Sequence, residues 1–196
     1  MKKNSISCWN CGKNVKNFFF CEHCKKIQKP IEHDPFQLFS LPYEFNIDIE
    51  KLEADFFNLQ HKLHPDKFIN ANENERLFSG IHSGNLNQSY HLLVDPISRA
   101  GILLKILINY DLKEKTLTDK ILLFEIMELE EEKENLEQKK DALIFFKKIM
   151  GLIDDEIKTI NNKFKEENYL EAAKIHTKLT YLKKIKNDFK KVEIEL

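Results

Sequence analysis

From about residue 113 to Leu196 the chain holds no proline and a single glycine, Gly151. Helices tolerate such a composition. Turn-rich β architectures do not, because their tight turns draw on glycine and proline for special backbone angles. The whole chain of 196 residues carries only five of each, so the expected fold class is all-α. Within residues 113–196 three helices can be drawn, near 118–138, 141–167 and 169–194, and they read as a C-terminal three-helix bundle. The last carries Ala172, Ile175, Leu179, Leu182, Phe189 and Val192 at mostly three-to-four spacing, which makes one apolar stripe. Gly151 falls inside the middle helix, at a cost of about 1 kcal/mol relative to alanine.

All four cysteines lie in the first 24 residues, as Cys8-x-x-Cys11, nine residues, then Cys21-x-x-Cys24. A CxxC pair bends the backbone so that both thiolates reach one metal ion, and two pairs complete the tetrahedral S4 shell that suits zinc. Gly12 follows the first pair, where a tight knuckle often needs positive φ. Thirty residues cannot bury a core of their own, so residues 1–30 are expected to fold around one structural zinc ion. Metal ligation would supply on the order of 10 kcal/mol. A redox dithiol and an iron site share these ligands. The redox reading lacks the βαβ pattern that normally accompanies it. Four thiolates fill the shell, so His23 is expected at the surface. Phe18, Phe19 and Phe20 are expected to form a small packing strand, because few basic residues interleave with them as a base-stacking platform would require.

Past a linker marked by Pro30 and the polar Glu32-His33-Asp34, the pattern changes. Asp34-Pro35 reads as a helix start with Asp as N-cap and Pro at the first helical position. Pro42 closes that short helix, and Asp48 is a plausible second cap. Leu52, Phe56, Leu59 and Leu63 then form an apolar stripe that stops at His64-Pro65-Asp66, since Pro65 cannot continue a helix. A third helix should span roughly 72–94 and end before Pro96. His64-Pro65-Asp66-Lys67-Phe68 resembles the signature loop of J domains. Its flanks, Asp34-Pro35-Phe36-Gln37-Leu38-Phe39-Ser40-Leu41-Pro42, Leu86-Asn87-Gln88-Ser89-Tyr90 and Asp95-Pro96-Ile97-Ser98-Arg99-Ala100, resemble the HscB branch of J-proteins in particular. The resemblance implies a J domain over 34–109. It also implies that His64, Pro65 and Asp66, with Lys62 and Lys67, contact a DnaK-type ATPase chaperone and promote its ATP hydrolysis. The family usually presents a basic second helix. Here only Lys51, His61, Lys62 and Lys67 stand beside Glu50, Glu53 and Asp55, which bears on the strength of docking.

The first helix of the bundle opens with Ile121, Leu122, Leu123, Phe124, Ile126 and Met127. One stripe, Leu122, Ile126 and Leu129, satisfies a bundle core. Leu123, Phe124 and Met127 are left on another face beside Glu128 and Glu131, and an apolar patch rimmed by acids has the character of a partner site. The alternative is that all six are buried. Leu123-Phe124-Glu125-Ile126-Met127-Glu128-Leu129 resembles the client-binding helix of the HscB family, and Lys178-Leu179-Thr180-Tyr181-Leu182 resembles its facing segment. The implied site for an iron–sulfur cluster scaffold protein is Leu123, Phe124, Met127, Glu128, Glu131 and Tyr181. The tetracysteine module resembles one found in eukaryotic members of the family.

The function implied is that of a co-chaperone rather than an enzyme, and the sequence holds no phosphate loop or nucleophile motif. Two other readings remain open here. A general J-protein for unfolded clients would bury Leu123, Phe124 and Met127 as bundle core. A zinc-ribbon interaction module fused to a J domain could use the lysines of residues 1–30, although the net charge of −1 argues against broad binding to nucleic acid or to an anionic membrane. No run approaches the roughly 20 apolar residues of a transmembrane helix. Residues 1–7 are too short for an organelle transit peptide. The family implies the mitochondrial matrix or a related organelle in a eukaryote and the cytoplasm otherwise. The oligomeric state is left open.

Overall fold

The structure is a computed structural model that describes residues 6–110, 120–136 and 139–195, with side chains over 7–110, 120–136 and 140–189. It is all-α apart from one minimal ribbon, in which β1 (Ile6–Ser7) pairs antiparallel with β2 (Asn14–Val15). The helices among the described residues are α1 (Pro35–Leu38), α2 (Ile49–Leu63), α3 (Glu73–Val94), α4 (Pro96–Ile108), α5 (Lys120–Glu134), α6 (Lys139–Lys165) and α7 (Tyr169–Glu195), with a 3-10 turn over Pro65–Phe68 after α2. They form two compact units. One is drawn from residues up to Tyr43 and from Ile47–Val94, the other from Glu44–Asn46 and from Asp95 onward.

In the first unit the caps form as the sequence dictates. Asp34 accepts from the Gln37 N–H and Asp48 from the Lys51 N–H, so each helix start has one of its orphan donors satisfied. Leu52, Phe56 and Leu63 turn inward and are buried with Phe36, Leu86 and Leu93. Phe56 stacks on Tyr90 of α3 with ring centroids 4.2 Å apart. These helices are the J domain that the His-Pro-Asp loop implied, and they hold that loop at the end of α2.

The second unit is organised around α7, which packs against α4, α5 and α6. Leu179 and Leu182 are fully buried there, as are Ile160 of α6 and Leu103 of α4, with Phe145 of α6 nearly so. The side chain of Val192 lies outside the described ones, as do residues 118, 119, 137 and 138 of the expected first bundle helix. Within the described stretch that helix ends at Glu134. The residues grouped by sequence as 34–109 are shared between the two units, because α4 packs with α7. Phe45, between α1 and α2, also belongs to the second unit. It is buried between a stacked Phe164 ring at 5.3 Å and the Arg99 guanidinium at 5.0 Å.

Gly101 of α4 faces His176 of α7. A β-carbon there would lie 2.9 Å from Nε2 of the buried His176. Gly101→Ala should therefore overpack the contact and lower stability by about 1–3 kcal/mol, outweighing the gain of helix propensity. Urea denaturation reads the effect, and a midpoint that stays or rises would contradict it.

Candidate functional site

Three constellations carry chemistry. The first is the tetracysteine cluster. Cys8 and Cys21 begin two knuckles of the same form. The Cys8 N–H donates to the Lys13 carbonyl and the Gly12 N–H to the Cys8 carbonyl, while Cys21 pairs with Lys26 and Lys25 in the same way. The fifth residue of each knuckle has positive φ, +72° at Gly12 and +62° at Lys25. Glycine meets this requirement freely in the first knuckle, and a lysine bears it in the second. The sulfurs of Cys8 and Cys24 lie 3.6 Å apart and those of Cys11 and Cys21 3.8 Å apart, and all four lie within 4.8 Å of one another. An S4 tetrahedron with metal–sulfur bonds of about 2.3 Å has edges of about 3.8 Å, so the four thiols fit one tetrahedral ion. Burial works against the Cys8 thiolate. The backbone N–H groups nearby and the Gln28 amide, 3.4 Å away, nevertheless bring its pKa down to about 6. A metal ligand needs the thiolate, and Cys11 is pushed the other way, up to about 11, where the Lys13 N–H is outweighed by desolvation and the three neighbouring sulfurs. His23 is exposed. Phe19 is buried, and Phe20 makes a single bridge to Ile27 rather than a strand.

Among the described residues several contacts pin the module to α3, Phe19 edge-on to His82 at 5.3 Å being one. Lys26 pairs with Glu75 at 2.8 Å, His82 Nε2 lies 2.9 Å from the Gln28 carbonyl, and Trp9 packs edge-on against Phe78. The Trp9 indole N–H also donates to the Ile27 carbonyl at 2.7 Å.

The second constellation is the loop after α2. His64 has φ −58° and ψ 132°, which turns the chain out of the helix, and Pro65 opens the 3-10 turn. The His64 ring accepts from the Asp66 N–H at 3.3 Å, and its Nδ1 lies 3.5 Å from the Asp66 carboxylate. His64, Pro65 and Asp66 are exposed, as are Lys62 and Lys67. Sequence reasoning missed the groove beside them, of about 440 Å³, which adds Phe57, Gln60, Ser83 and Asn87 to the lining. Phe57 is 60% exposed. Its neighbour Phe56 was the available signal, because two consecutive phenylalanines in a helix cannot both face the core.

The third is the outer face of α5. Leu122, Ile126 and Leu129 are buried, while Leu123, Phe124 and Met127 are 42%, 61% and 60% exposed. Glu128 and Glu131 are exposed on the same side. Ile121, at 75% exposure, extends the patch by helical spacing and was left unassigned by the sequence. Lys178 of α7 ties the arrangement together, pairing with Glu125 of α5 at 2.8 Å and with Glu156 of α6 at 3.1 Å. Tyr181, half-buried, follows Lys178 by three residues on α7. The two carboxylates raise the Lys178 pKa against the opposing effect of burial.

A His-Pro-Asp loop closing the second of three helices, a tetracysteine module on the third, and a further helical unit with an apolar and acidic face define a J-domain protein with its own C-terminal helical unit. Comparison with known proteins narrows this. Residues 118–190 match the HSCB C-terminal oligomerisation domain. The chain is 36% identical to a co-chaperone protein HscB homolog of Vibrio atlanticus, over 82% of this chain and 97% of that one. It is 32% identical to the human iron-sulfur cluster co-chaperone protein HscB, over 98% of this chain and 85% of that one. The crystal structure of the human protein superposes with a TM-score of 0.89 at 29% identity, covering 97% of this chain and all of that one. The chain belongs to the HscB co-chaperone family. Among the described residues no helix is long and apolar enough to cross a membrane.

Proposed function

We propose that this protein binds an iron–sulfur cluster scaffold protein through α5, delivers it to a DnaK-type ATPase chaperone and stimulates that chaperone's ATP hydrolysis, without catalysing a reaction itself. The observation that carries the reading is the outward apolar face of α5, with Leu123, Phe124 and Met127 in solvent and acids beside them. The human relative's name supports the cluster-assembly role. Glu128, Glu131 and Tyr181 complete the scaffold site, and His64, Pro65, Asp66, Lys62 and Lys67 make the chaperone site. Holding both partners raises their effective concentration for each other. Cys8, Cys11, Cys21 and Cys24 hold one zinc ion, which supplies folding energy rather than chemistry. The compartment is that of cluster assembly, the mitochondrial matrix or a related organelle in a eukaryote and the cytoplasm otherwise.

The test is calorimetric titration of the scaffold into the wild type and into the Leu123→Ala/Phe124→Ala/Met127→Ala variant. Hot-spot truncation should cost at least about 2 kcal/mol, a loss of about 30-fold in affinity. Circular dichroism should show the variant still helical, since the removed side chains lie outside the core. No binding by the wild type would sink the reading and leave a general J-protein, although that alternative required these three residues in the core.

A further inference from the structure

The inward face of α3 carries, beside the buried Leu86 and Leu93, polar side chains where packing alone would favour apolar ones. Ser79, His82, Ser83 and Ser89 are buried, while Leu77 and Ile81 of the same helix are exposed. Buried hydroxyls are costly unless hydrogen-bonded, so their partners indicate what the face is for. His82 meets the tetracysteine module, as described above. Ser79 and Ser83 meet the last turn of α2. Ser79, with no exposure, donates to the Leu63 carbonyl at 2.7 Å, and Ser83 donates to the Gln60 side chain at 2.8 Å.

Leu63 is the last residue of α2, and its carbonyl has lost its helical partner. In a continuing helix the Lys67 N–H would take it. Here that N–H donates instead to the His64 carbonyl at 3.0 Å, closing the turn that carries the loop. Pro65 has no N–H to offer. The carbonyl immediately before His64 is therefore held by a hydroxyl from another helix, and the end of α2 is fixed from outside.

We infer that Ser79 is the positioning residue of the His64-Pro65-Asp66 loop, its hydroxyl setting where α2 stops and hence how the loop is presented to the chaperone. The chaperone part of this rests on the function proposed above, whereas the loop part does not. Ser79 touches no partner, so its effect is exerted through Leu63 and His64.

The test uses the full chain and two variants, Ser79→Ala and Ser89→Ala, the second being the same chemical change at another buried serine of α3. Amide hydrogen exchange at Lys67 reads closure of the turn with no chaperone present. Loss of one buried hydrogen bond should speed that exchange about fivefold or more in Ser79→Ala. Amides in the middle of α2 and the urea midpoint should move no further than in Ser89→Ala, which separates positioning from a general loss of stability. In the chaperone ATPase assay the concentration for half-maximal stimulation should rise about fivefold, with the maximal rate kept. Lys67 exchange in Ser79→Ala that matches Ser89→Ala overturns the inference, whatever the ATPase shows. Absence of stimulation by the wild type overturns the proposed function alone, and the exchange result still stands or falls by itself.

Discussion

Replacing Cys21 with serine, or stripping the metal with a strong chelator, is expected to unfold the tetracysteine module while leaving the J-domain helices folded. Cys21 is fully buried, and its sulfur lies 3.8 Å from that of Cys11. The module's own apolar cluster consists of little more than Cys8, Val15 and Cys21, with Cys24 partly buried against it. So small a core cannot offset the entropy of ordering the segment, and metal ligation of about 10 kcal/mol has to do so. Trp9 reports the outcome cleanly because it is the sole tryptophan of the chain. Its indole is held by the Ile27 carbonyl and by the Phe78 ring, and both contacts go when the knuckles open. Emission should shift to that of an indole in water, with far-UV ellipticity nearly unchanged, since α1, α2 and α3 share a core around Phe36, Leu52 and Leu86. Unchanged emission after chelation would mean that the segment folds without metal and that the S4 reading of its energetics is wrong.

His64→Gln should abolish stimulation of the chaperone ATPase and leave scaffold binding at the wild-type level. The separation follows from placement: His64 lies in the first compact unit and α5 in the second. The His64 side chain is 53% exposed, and its polar contacts are local ones to Asp66. Its loss should therefore change stability by no more than about 0.5 kcal/mol, and a failed assay could not be ascribed to unfolding. Steady-state ATP turnover at saturating co-chaperone is the measurement. Stimulation that survives at the wild-type rate would remove His64 from the chaperone site.

Much of this was legible in the chain because the signals are local. Asp34 and Asp48 cap helices that begin one residue later, and the chemistry of a cap is complete within four residues. The two CxxC pairs need only short-range turns to present their sulfurs, so the cluster could be read from spacing. The split of α5 into Leu122, Ile126 and Leu129 inside and Leu123, Phe124 and Met127 outside follows from helical period and from the width of one bundle stripe. The resemblance to the HscB family then supplied roles that no period can give.

Contacts between residues distant in sequence settled the rest. That α4 packs on α7 depends on Gly101 opposite His176, 75 positions away, and neither residue signals the other. Phe45 sits in a connection between helices and reads as a loop residue until Phe164 and Arg99 enclose it. On α3 the period misleads in part, because serines and a histidine face inward beside Leu86 and Leu93 while Leu77 and Ile81 face out. A polar side chain is stable at a core position only when its partner is in place, and here the partners are the Leu63 carbonyl, 16 residues back, and the Gln28 carbonyl, 54 residues back. The sequence by itself determined α1 to α3 and the three bundle helices, the Asp34 and Asp48 caps, the two CxxC pairs and the outward face of α5, since each rests on neighbours within a turn or two, whereas α4 with its Asp95 cap went unread. The tertiary structure alone decided which buried polar groups are satisfied and what they hold, since a hydrogen bond between distant segments exists only once the chain has brought its two ends together.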